Sequence, residues 1–140
     1  MTAPPDAASI VVIDASMVVA ALIDADSAGV WARTVLASDR LAAPHLMPAE
    51  VANILRRAAL AGDISLDAAA LAHADLQQLP AVLYPYEPFA DRVWELRDTI
   101  TAYDGWYVAL AESLDAELAT LDLRLAHASG PRCAFLTPAP

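Results

Sequence analysis

Two patterns of apolar and polar positions alternate along the chain. Short apolar runs contain no polar position, and the clearest of them is Ile10–Ile13, four β-branched residues in a row. Such a run is typical of a strand buried on both faces of a parallel sheet. Between these runs, apolar residues recur every three or four positions, which is helical spacing. The alternation predicts βα units and a mostly parallel sheet covered by helices on both faces.

Capping residues refine this pattern to about five strands and about seven helices. Pro48 suits the first turn of a helix, Gly62 suits the position after the end of that helix, and Ser65 suits the cap of the next one. We expect strands at residues 10–13, 41–43, 81–84, 117–121 and 134–136. We expect helices at residues 16–23, 27–37, 49–61, from Ser65 to before Pro80, 88–99, 104–115 and 122–127.

Length and composition indicate one domain over residues 1–140, with proline-rich ends at 1–8 and 138–140 that we expect to be frayed. No stretch of 18 apolar residues lacks a charge, which argues against a membrane span. The first residues lack the basic region of a signal peptide, and the single cysteine, Cys133, cannot form an internal disulfide. We therefore expect a cytoplasmic protein.

The charge balance narrows the function. The chain has 18 acidic residues against 8 arginines, no lysine, and a net charge of -10. This charge argues against binding nucleic acid by bulk electrostatics. The missing lysine excludes a phosphate-binding P-loop and disfavours the phosphatases and receiver domains that pair a strand-end Asp with a Lys. Divalent cations held among carboxylates would still reverse the local sign of a site.

Four acids are predicted to converge at one edge of the sheet. Asp14 and Asp122 directly follow predicted strands, and Glu50 and Asp104 lie in the first turns of predicted helices. Each has a simpler structural interpretation as a turn, cap or helix-dipole residue. Together they form an oxygen-only ligand set for Mg²⁺ or Mn²⁺, since the three histidines show no metal-type spacing. Such a site could orient a water for attack on a phosphodiester.

The segments around these acids also carry a family resemblance: Val12–Ser16, Pro48–Asn53, Thr101–Ala111 and Leu118–Leu125. They resemble the four motifs of PIN-domain ribonucleases, and most closely those of the VapC toxins of bacterial toxin–antitoxin pairs. The resemblance extends from Ile10 to about Leu136. It implies a PIN-like three-layer α/β/α fold and a toxin that is a Mg²⁺- or Mn²⁺-dependent endoribonuclease acting on RNA.

The resemblance also implies roles for individual residues. Asp14 and Asp104 would be the principal metal ligands, and Glu50 and Asp122 would complete the acidic site directly or through water. Ser16 and Thr120 match small hydroxyl positions that hold a ligand water or a phosphate oxygen. The family further implies a homodimer and a cognate VapB-type antitoxin that inserts a segment near the active site. Because this chain is so acidic, we expect that segment to carry Arg or Lys.

Two interpretations stay open for the residues that would contact RNA. Arg56 and Arg124 suit a phosphate, because the guanidinium fork matches its oxygens, but each is also typical of a solvated helix face. Asn53, one turn from Glu50, either orients that acid or is a simple surface residue. The alternative function is a non-catalytic module of the same fold that engages a partner protein.

Overall fold

Five parallel strands form a single sheet in the computed structural model, which describes residues 9–38 and 40–140. In spatial order the strands run β3-β2-β1-β4-β5. Their bounds are β1 Ile10–Ile13, β2 Arg40–Pro44, β3 Ala81–Tyr84, β4 Glu117–Ala119 and β5 Phe135–Leu136. The central strand β1 is the predicted β-branched run, and its last three residues are almost completely buried.

Seven α-helices connect the strands within the described residues. Their bounds are α1 Ala15–Ile23, α2 Ser27–Ser38, α3 Met47–Leu60, α4 Leu66–Gln77, α5 Ala90–Glu95, α6 Ala102–Leu114 and α7 Leu123–Ala126. Helices α1 to α4 pack against one another, and α5 packs against α6. Because parallel crossovers are right-handed, the steps β1–β2–β3 and β3–β4–β5 place these two groups on opposite faces of the sheet. The expected three-layer α/β/α arrangement is therefore confirmed.

This topology fixes where a site can form. The chain leaves β1 toward one face of the sheet and leaves β4 toward the other, so a crevice opens beyond the carboxyl ends of these neighbouring strands. Ile13 is in register with Ala119, so the next residues, Asp14 and Thr120, stand side by side at that edge. The backbone N–H of Asp14 donates to the carbonyl of Ala119 at 3.2 Å and extends the pairing by one step.

Three predicted boundaries were wrong at places that bear on the site. Strand β4 ends at Ala119 rather than at residue 121. The backbone N–H of Thr120 still donates to the carbonyl of Leu136 at 3.0 Å, but the next two backbone N–H groups donate to the hydroxyls of Ser16 and Thr120 instead of to a neighbouring strand. The helix expected over 88–99 is a 3₁₀ turn, Glu87–Phe89, followed by the short α5 and a series of turns. Helix α6 begins at Ala102 rather than Asp104, because the Thr101 hydroxyl caps it by accepting from the backbone N–H of Asp104 at 3.1 Å.

The expectations about the chain ends and the membrane are only partly tested. Residues 1–8 lie outside the described residues, and residues 138–140 form no helix or strand. In the described ranges, no single helix is long and apolar enough to cross a membrane. The pair α1 and α2 passes that test only when taken together across a bend of 108°. Much of α1 is buried in the core.

Candidate active site

Asp14 is the most constrained of the four acids. Its side chain is 7% exposed, and it caps α1 by accepting the backbone N–H of Met17 at 3.1 Å. Two hydroxyls, from Ser16 and Thr120, also donate to its carboxylate, one to each oxygen. Burial raises the pKa of Asp14, and these three hydrogen bonds oppose that rise. The site therefore holds a carboxylate that has lost much of its water but is fixed in direction.

A short loop after β4 ties itself to Asp14 through the same hydroxyls. Thr120, which is completely buried, accepts the backbone N–H of Asp122 at 2.9 Å while donating to Asp14. Ser16 accepts the backbone N–H of Leu121 at 3.1 Å while donating to Asp14 at 2.6 Å. Both hydroxyl protons are thus used to orient Asp14, and the loop is held against the start of α1.

Glu50 receives a hydrogen bond that the sequence did not suggest. The hydroxyl of Tyr107, on α6, donates to Oε1 of Glu50, on α3, at 2.6 Å. Tyr107 is 2% exposed, and burial followed by the negative charge of Glu50 keeps its pKa well above the ordinary value. Its hydroxyl therefore stays protonated and remains a donor to Glu50. Burial also raises the pKa of Glu50, and the Tyr107 hydrogen bond opposes that rise.

Asp104 and Asp122 form the outer part of the site. Asp104 is half-buried in the first turn of α6, and its pKa is raised by burial and then by the charge of Asp122, while Arg124 lowers it. Asp122 caps α7 through Oδ1, which accepts the backbone N–H groups of Arg124 at 3.0 Å and Leu125 at 3.3 Å. The simpler prediction for Asp122, that it caps the helix after it, is correct alongside any role in the site.

The four acids are coupled electrostatically. The charge of Asp104 raises the pKa of Asp14, the charges of Asp104 and Asp14 raise the pKa of Glu50, and the charge of Asp122 raises the pKa of Asp104. Like charges that are brought close and partly dehydrated need a counter-ion or a proton. The sequence prediction that these distant residues converge on one edge of the sheet is consistent with this geometry.

The donor chemistry of the site suits a hard cation, although the side chains are not yet arranged around one. All four groups are carboxylates, and oxygen-only sets favour Mg²⁺ or Mn²⁺. Among residues 9–38 and 40–140, no three or more His, Cys, Asp or Glu side chains are placed so that they could hold a metal ion. The repulsion that raises these pKa values opposes a closer approach of the carboxylates. Their character fits a divalent ion, and they would have to draw together to bind it.

A cleft of about 520 Å³ opens beside the outer acids. Its wall is formed by the turn after α5, the start of α6 and the start of α7. The lining residues are Arg97, Asp98, Thr99, Ile100, Thr101, Asp104, Asp122, Arg124 and Leu125. This volume falls in the range of small-molecule and nucleotide sites. The cleft contains two of the eight arginines of an acidic chain beside two of the four candidate ligands.

The other predicted residues are distributed unevenly around this site. Ser16 and Thr120 contact Asp14 directly, and Arg124 lines the cleft. Asn53 is exposed on α3, and Arg56 lines a separate apolar groove between α3 and α4. Within the described chain, neither of these two side chains forms a hydrogen bond or ion pair with the four acids.

Two residues near the acids could not be predicted from the sequence as parts of the site. Tyr107 lies three residues after Asp104, a spacing that places both on one side of α6, but a tyrosine at helical spacing is more often a core residue. Arg97 lies in a stretch expected to be helical, so its position beside Asp104 could not be read from the pattern. In both cases helical spacing indicates which side of a helix a residue occupies, but it does not identify the residues of other segments that lie beside it.

Comparison with known proteins identifies the fold family. The family model described as PIN domain matches residues 11–131, so this chain belongs to the PIN-domain family. Two solved structures share the fold. The crystal structure of PAE2754 from Pyrobaculum aerophilum is 24% identical, with a TM-score of 0.69, and the similarity covers 92% of this chain and 89% of that one. That of VapBC2 from Rickettsia felis, bound to a DNA fragment from their promoter, is 14% identical, with a TM-score of 0.67, covering 93% of this chain and 99% of that one.

Sequence relatives narrow the family further. Ribonuclease VapC1 of Mycobacterium tuberculosis (strain H37Rv) is 42% identical over 126 residues, which cover 87% of this chain and 92% of that protein. Ribonuclease VapC9 of the same strain is 37% identical over 123 residues, covering 88% of this chain and 94% of that protein. These similarities place the chain among the VapC-type PIN domains and confirm the resemblance found in its four motifs.

Proposed function

We propose that this protein is a metal-dependent endoribonuclease, the toxin of a toxin–antitoxin pair. The observation that carries the proposal is the convergence of Asp14, Glu50, Asp104 and Asp122, whose mutual repulsion and burial leave negative charge uncompensated at one edge of the sheet. The relatives named as VapC ribonucleases support RNA as the substrate. The VapBC2 structure supports an antitoxin as the partner.

Asp14 and Asp104 would be the principal ligands of Mg²⁺ or Mn²⁺, with Glu50 and Asp122 completing the set directly or through water. A bound ion of this kind supplies charge for a phosphoryl oxygen and lowers the pKa of a water. In the hydrolysis, the water oxygen forms a bond to phosphorus, one P–O bond to ribose breaks, and the departing oxygen takes up a proton.

The chain's own residues orient the groups that meet the substrate. Ser16 and Thr120 hold both oxygens of Asp14, and Tyr107 holds one oxygen of Glu50. These hydrogen bonds restrict the directions of the Asp14 and Glu50 carboxylates, so less conformational freedom is lost when an ion draws the acids together. The burial that removes water from Asp14 also strengthens its attraction for a cation.

Cleavage of RNA by the purified protein tests this function. We expect cleavage with Mg²⁺ or Mn²⁺, none in excess chelator, and a loss of about 10²–10³-fold in both Asp14→Asn and Asp104→Asn. Asp67→Asn, an exposed acid in the first turn of α4, is the matched control and should retain full activity. Full activity in the two site variants, or in chelator, would contradict the proposal.

Calorimetric titration with Mn²⁺ separates this function from the non-catalytic alternative. We expect Mn²⁺ to bind the protein and Asp104→Asn to weaken that binding, whereas Asp67→Asn should bind Mn²⁺ like the unaltered protein. A protein that binds no Mn²⁺ at millimolar concentration and cleaves no RNA would instead favour a module that only engages a partner.

A further inference from the structure

The cleft beside Asp104 has a cationic pair that the metal site does not explain. Arg97 and Arg124 lie on opposite segments of its wall, one in the turn after α5 and one in α7. Both are exposed, and in the part of the chain that the structure describes neither is in an ion pair. By contrast, Arg92 on α5 is bound to two glutamates. The two guanidinium groups of the cleft therefore keep donors that are free to bind a ligand.

Arg97 is held in place without using its charge. One of its terminal nitrogens donates to the carbonyl of Trp94 at 2.7 Å, and its guanidinium carbon lies 4.8 Å from the centre of the Trp94 ring. Contact with an aromatic face restricts a guanidinium and does not neutralise it. Four of its five N–H donors remain for another partner.

The placement of this pair matters because the surface is otherwise unfavourable for RNA. The chain carries a net charge of -10 and no lysine, so an approaching phosphate backbone is repelled over most of the molecule. Three carboxylates, from Asp98, Asp104 and Asp122, also line the cleft. A divalent ion on the four acids would offset the last two, and the cleft would then be the place where a phosphate meets fixed positive charge.

We propose that this cleft is an RNA subsite in which Arg97 and Arg124 bind the phosphate of a nucleotide next to the cleaved bond. Trp94 is a positioning residue for Arg97. The subsite rests on the proposed function. A planar guanidinium fork binds phosphate through two donors at once, and the cleft volume of about 520 Å³ accommodates a nucleotide. Asp104 and Asp122 line the cleft and also belong to the proposed metal site. A nucleotide bound in the cleft would therefore lie beside the phosphodiester that is cleaved.

Binding of a fluorescent single-stranded RNA pool of random sequence tests the subsite. Every protein compared keeps the four acids, and binding is measured over a series of salt concentrations in Ca²⁺. This hard ion binds carboxylates but lowers the pKa of a bound water less than Mg²⁺ does, so that the RNA stays intact. We expect Arg97→Gln and Arg124→Gln each to weaken binding roughly tenfold. Each should also reduce the slope of log Kd against log salt by about 0.7, the value for one phosphate contact on a single strand.

Arg57→Gln is the matched control, because it removes the same charge from an exposed position on α3. We expect less than a twofold change in its binding. Equal Kd values for the cleft variants and Arg57→Gln would overturn the subsite, whether all three lose nothing or all three lose the same. If the unaltered protein cleaves RNA in that case, the proposed function stands while the subsite fails. An unaltered protein that neither binds nor cleaves RNA would overturn both.

The positioning role of Trp94 has its own test. Its side chain is 67% exposed, so Trp94→Leu should leave the fold intact. We expect Trp94→Leu to weaken RNA binding about threefold when Arg97 is present and to have no further effect on Arg97→Gln, because residues that act as a unit are not additive. An additive loss in the double variant would show that Trp94 does not act through Arg97.

Discussion

The two ends of helix α6 each carry a partly buried carboxylate, and their surroundings shift the pKa values of these two groups in opposite directions. At the first turn, Asp104 joins three other carboxylates, and its pKa is raised by burial and by Asp122. Near the last turn, burial would also raise the pKa of Glu112, but Arg92 outweighs it and the pKa is lowered. Arg92 donates to both oxygens of Glu112, at 2.7 and 3.0 Å, and the backbone N–H of Arg132 donates at 2.7 Å.

This difference in charge balance indicates a separate role for each end of α6. The Glu112 end contains its own counter-charge and joins α5, α6 and the segment before β5, so it stabilises the fold. Among the described residues, no ion pair of this kind balances the carboxylate end. Arg124 lowers the pKa of Asp104 but does not outweigh burial and the charge of Asp122, so the fold bears the repulsion. A destabilised cluster of this kind is typical of a functional site, where activity and stability are in conflict.

The largest expected effect comes from neutralising the carboxylate end. Asp104→Asn should lower RNA cleavage by about 10²–10³-fold and yet raise the free energy of unfolding in chelator by up to about 1 kcal/mol. The gain is small because Asp104 is half-exposed and water screens its repulsion. Urea unfolding beside the cleavage assay checks both signs, with Asp67→Asn as the control. If Asp104→Asn were instead less stable than the unaltered protein in chelator, the carboxylate end of α6 would not be under repulsion, and the contrast with the Glu112 end would be contradicted.

The opposite end should respond with the opposite pattern. Glu112→Gln should lower the free energy of unfolding by about 2 kcal/mol, because it leaves the partly buried Arg92 without its main counter-charge. Cleavage of RNA should be unchanged at temperatures where the protein stays folded. Glu95, the exposed second partner of Arg92, provides the control, since Glu95→Gln should cost less than about 0.5 kcal/mol. If Glu112→Gln and Glu95→Gln lowered the free energy of unfolding equally, burial would not explain why the ion pair of Arg92 with Glu112 contributes more than its pair with Glu95.

Tyr107→Phe should have a smaller effect that falls on the site. Removing the hydroxyl leaves Oε1 of Glu50 without its donor, which should lower cleavage about tenfold. It should also shift the acid limb of the pH–activity profile to higher pH, because the lost hydrogen bond no longer holds down the pKa of Glu50. Tyr103→Phe, at an exposed position on the same helix, is the control and should match the unaltered protein. An unshifted profile in Tyr107→Phe would contradict this role.

The smallest expected effect is on the pH dependence of stability, to which the two ends of α6 should contribute with opposite signs. Asp14, Glu50 and Asp104 hold protons more tightly in the fold than in the unfolded chain. Their contribution to stability in chelator therefore falls as pH rises above the unfolded values of 3.8 and 4.5. Glu112 has a lowered pKa, so its contribution is present above 4.5 and is lost as pH falls through its folded pKa.

Urea unfolding from about pH 3.5 to about pH 8 measures these opposing slopes. The triple variant Asp14→Asn, Glu50→Gln, Asp104→Asn should keep only the rise with pH that Glu112 provides. The difference between the unaltered protein and this variant should then fall as pH rises. A difference that rises with pH would mean that the site carboxylates are stabilised by the fold.

Much of the fold could be predicted from the sequence, because it follows from patterns that are local. The β-branched run of β1, the capping residue Ser65 and the turn residue Gly62 report their own conformations, and these predictions are confirmed. The convergence of four acids followed from parallel topology and from a family resemblance. The expectation of one domain over the whole chain stays a prediction.

The contacts that distinguish the two ends of α6 could not be predicted, because they depend on packing between distant segments. Nothing local shows that Arg92 reaches Glu112 or that Tyr107 reaches Glu50, 57 residues away. The length of α5 was overestimated because Pro88 and the apolar spacing after it suit a helix, whereas the chain forms a 3₁₀ turn and a short helix there. Those turns are what bring Arg97 to the cleft.

The bond between Thr120 and Asp14 joins residues 106 positions apart. During synthesis on a ribosome, Asp14 is made long before Thr120, and Asp122 follows Thr120 by two residues. A growing chain that has not reached these residues therefore lacks part of the candidate site, whatever its early segments have folded into. For the ribonuclease proposed above, this order of synthesis delays cleavage of RNA until the segment that carries Asp122 has been made.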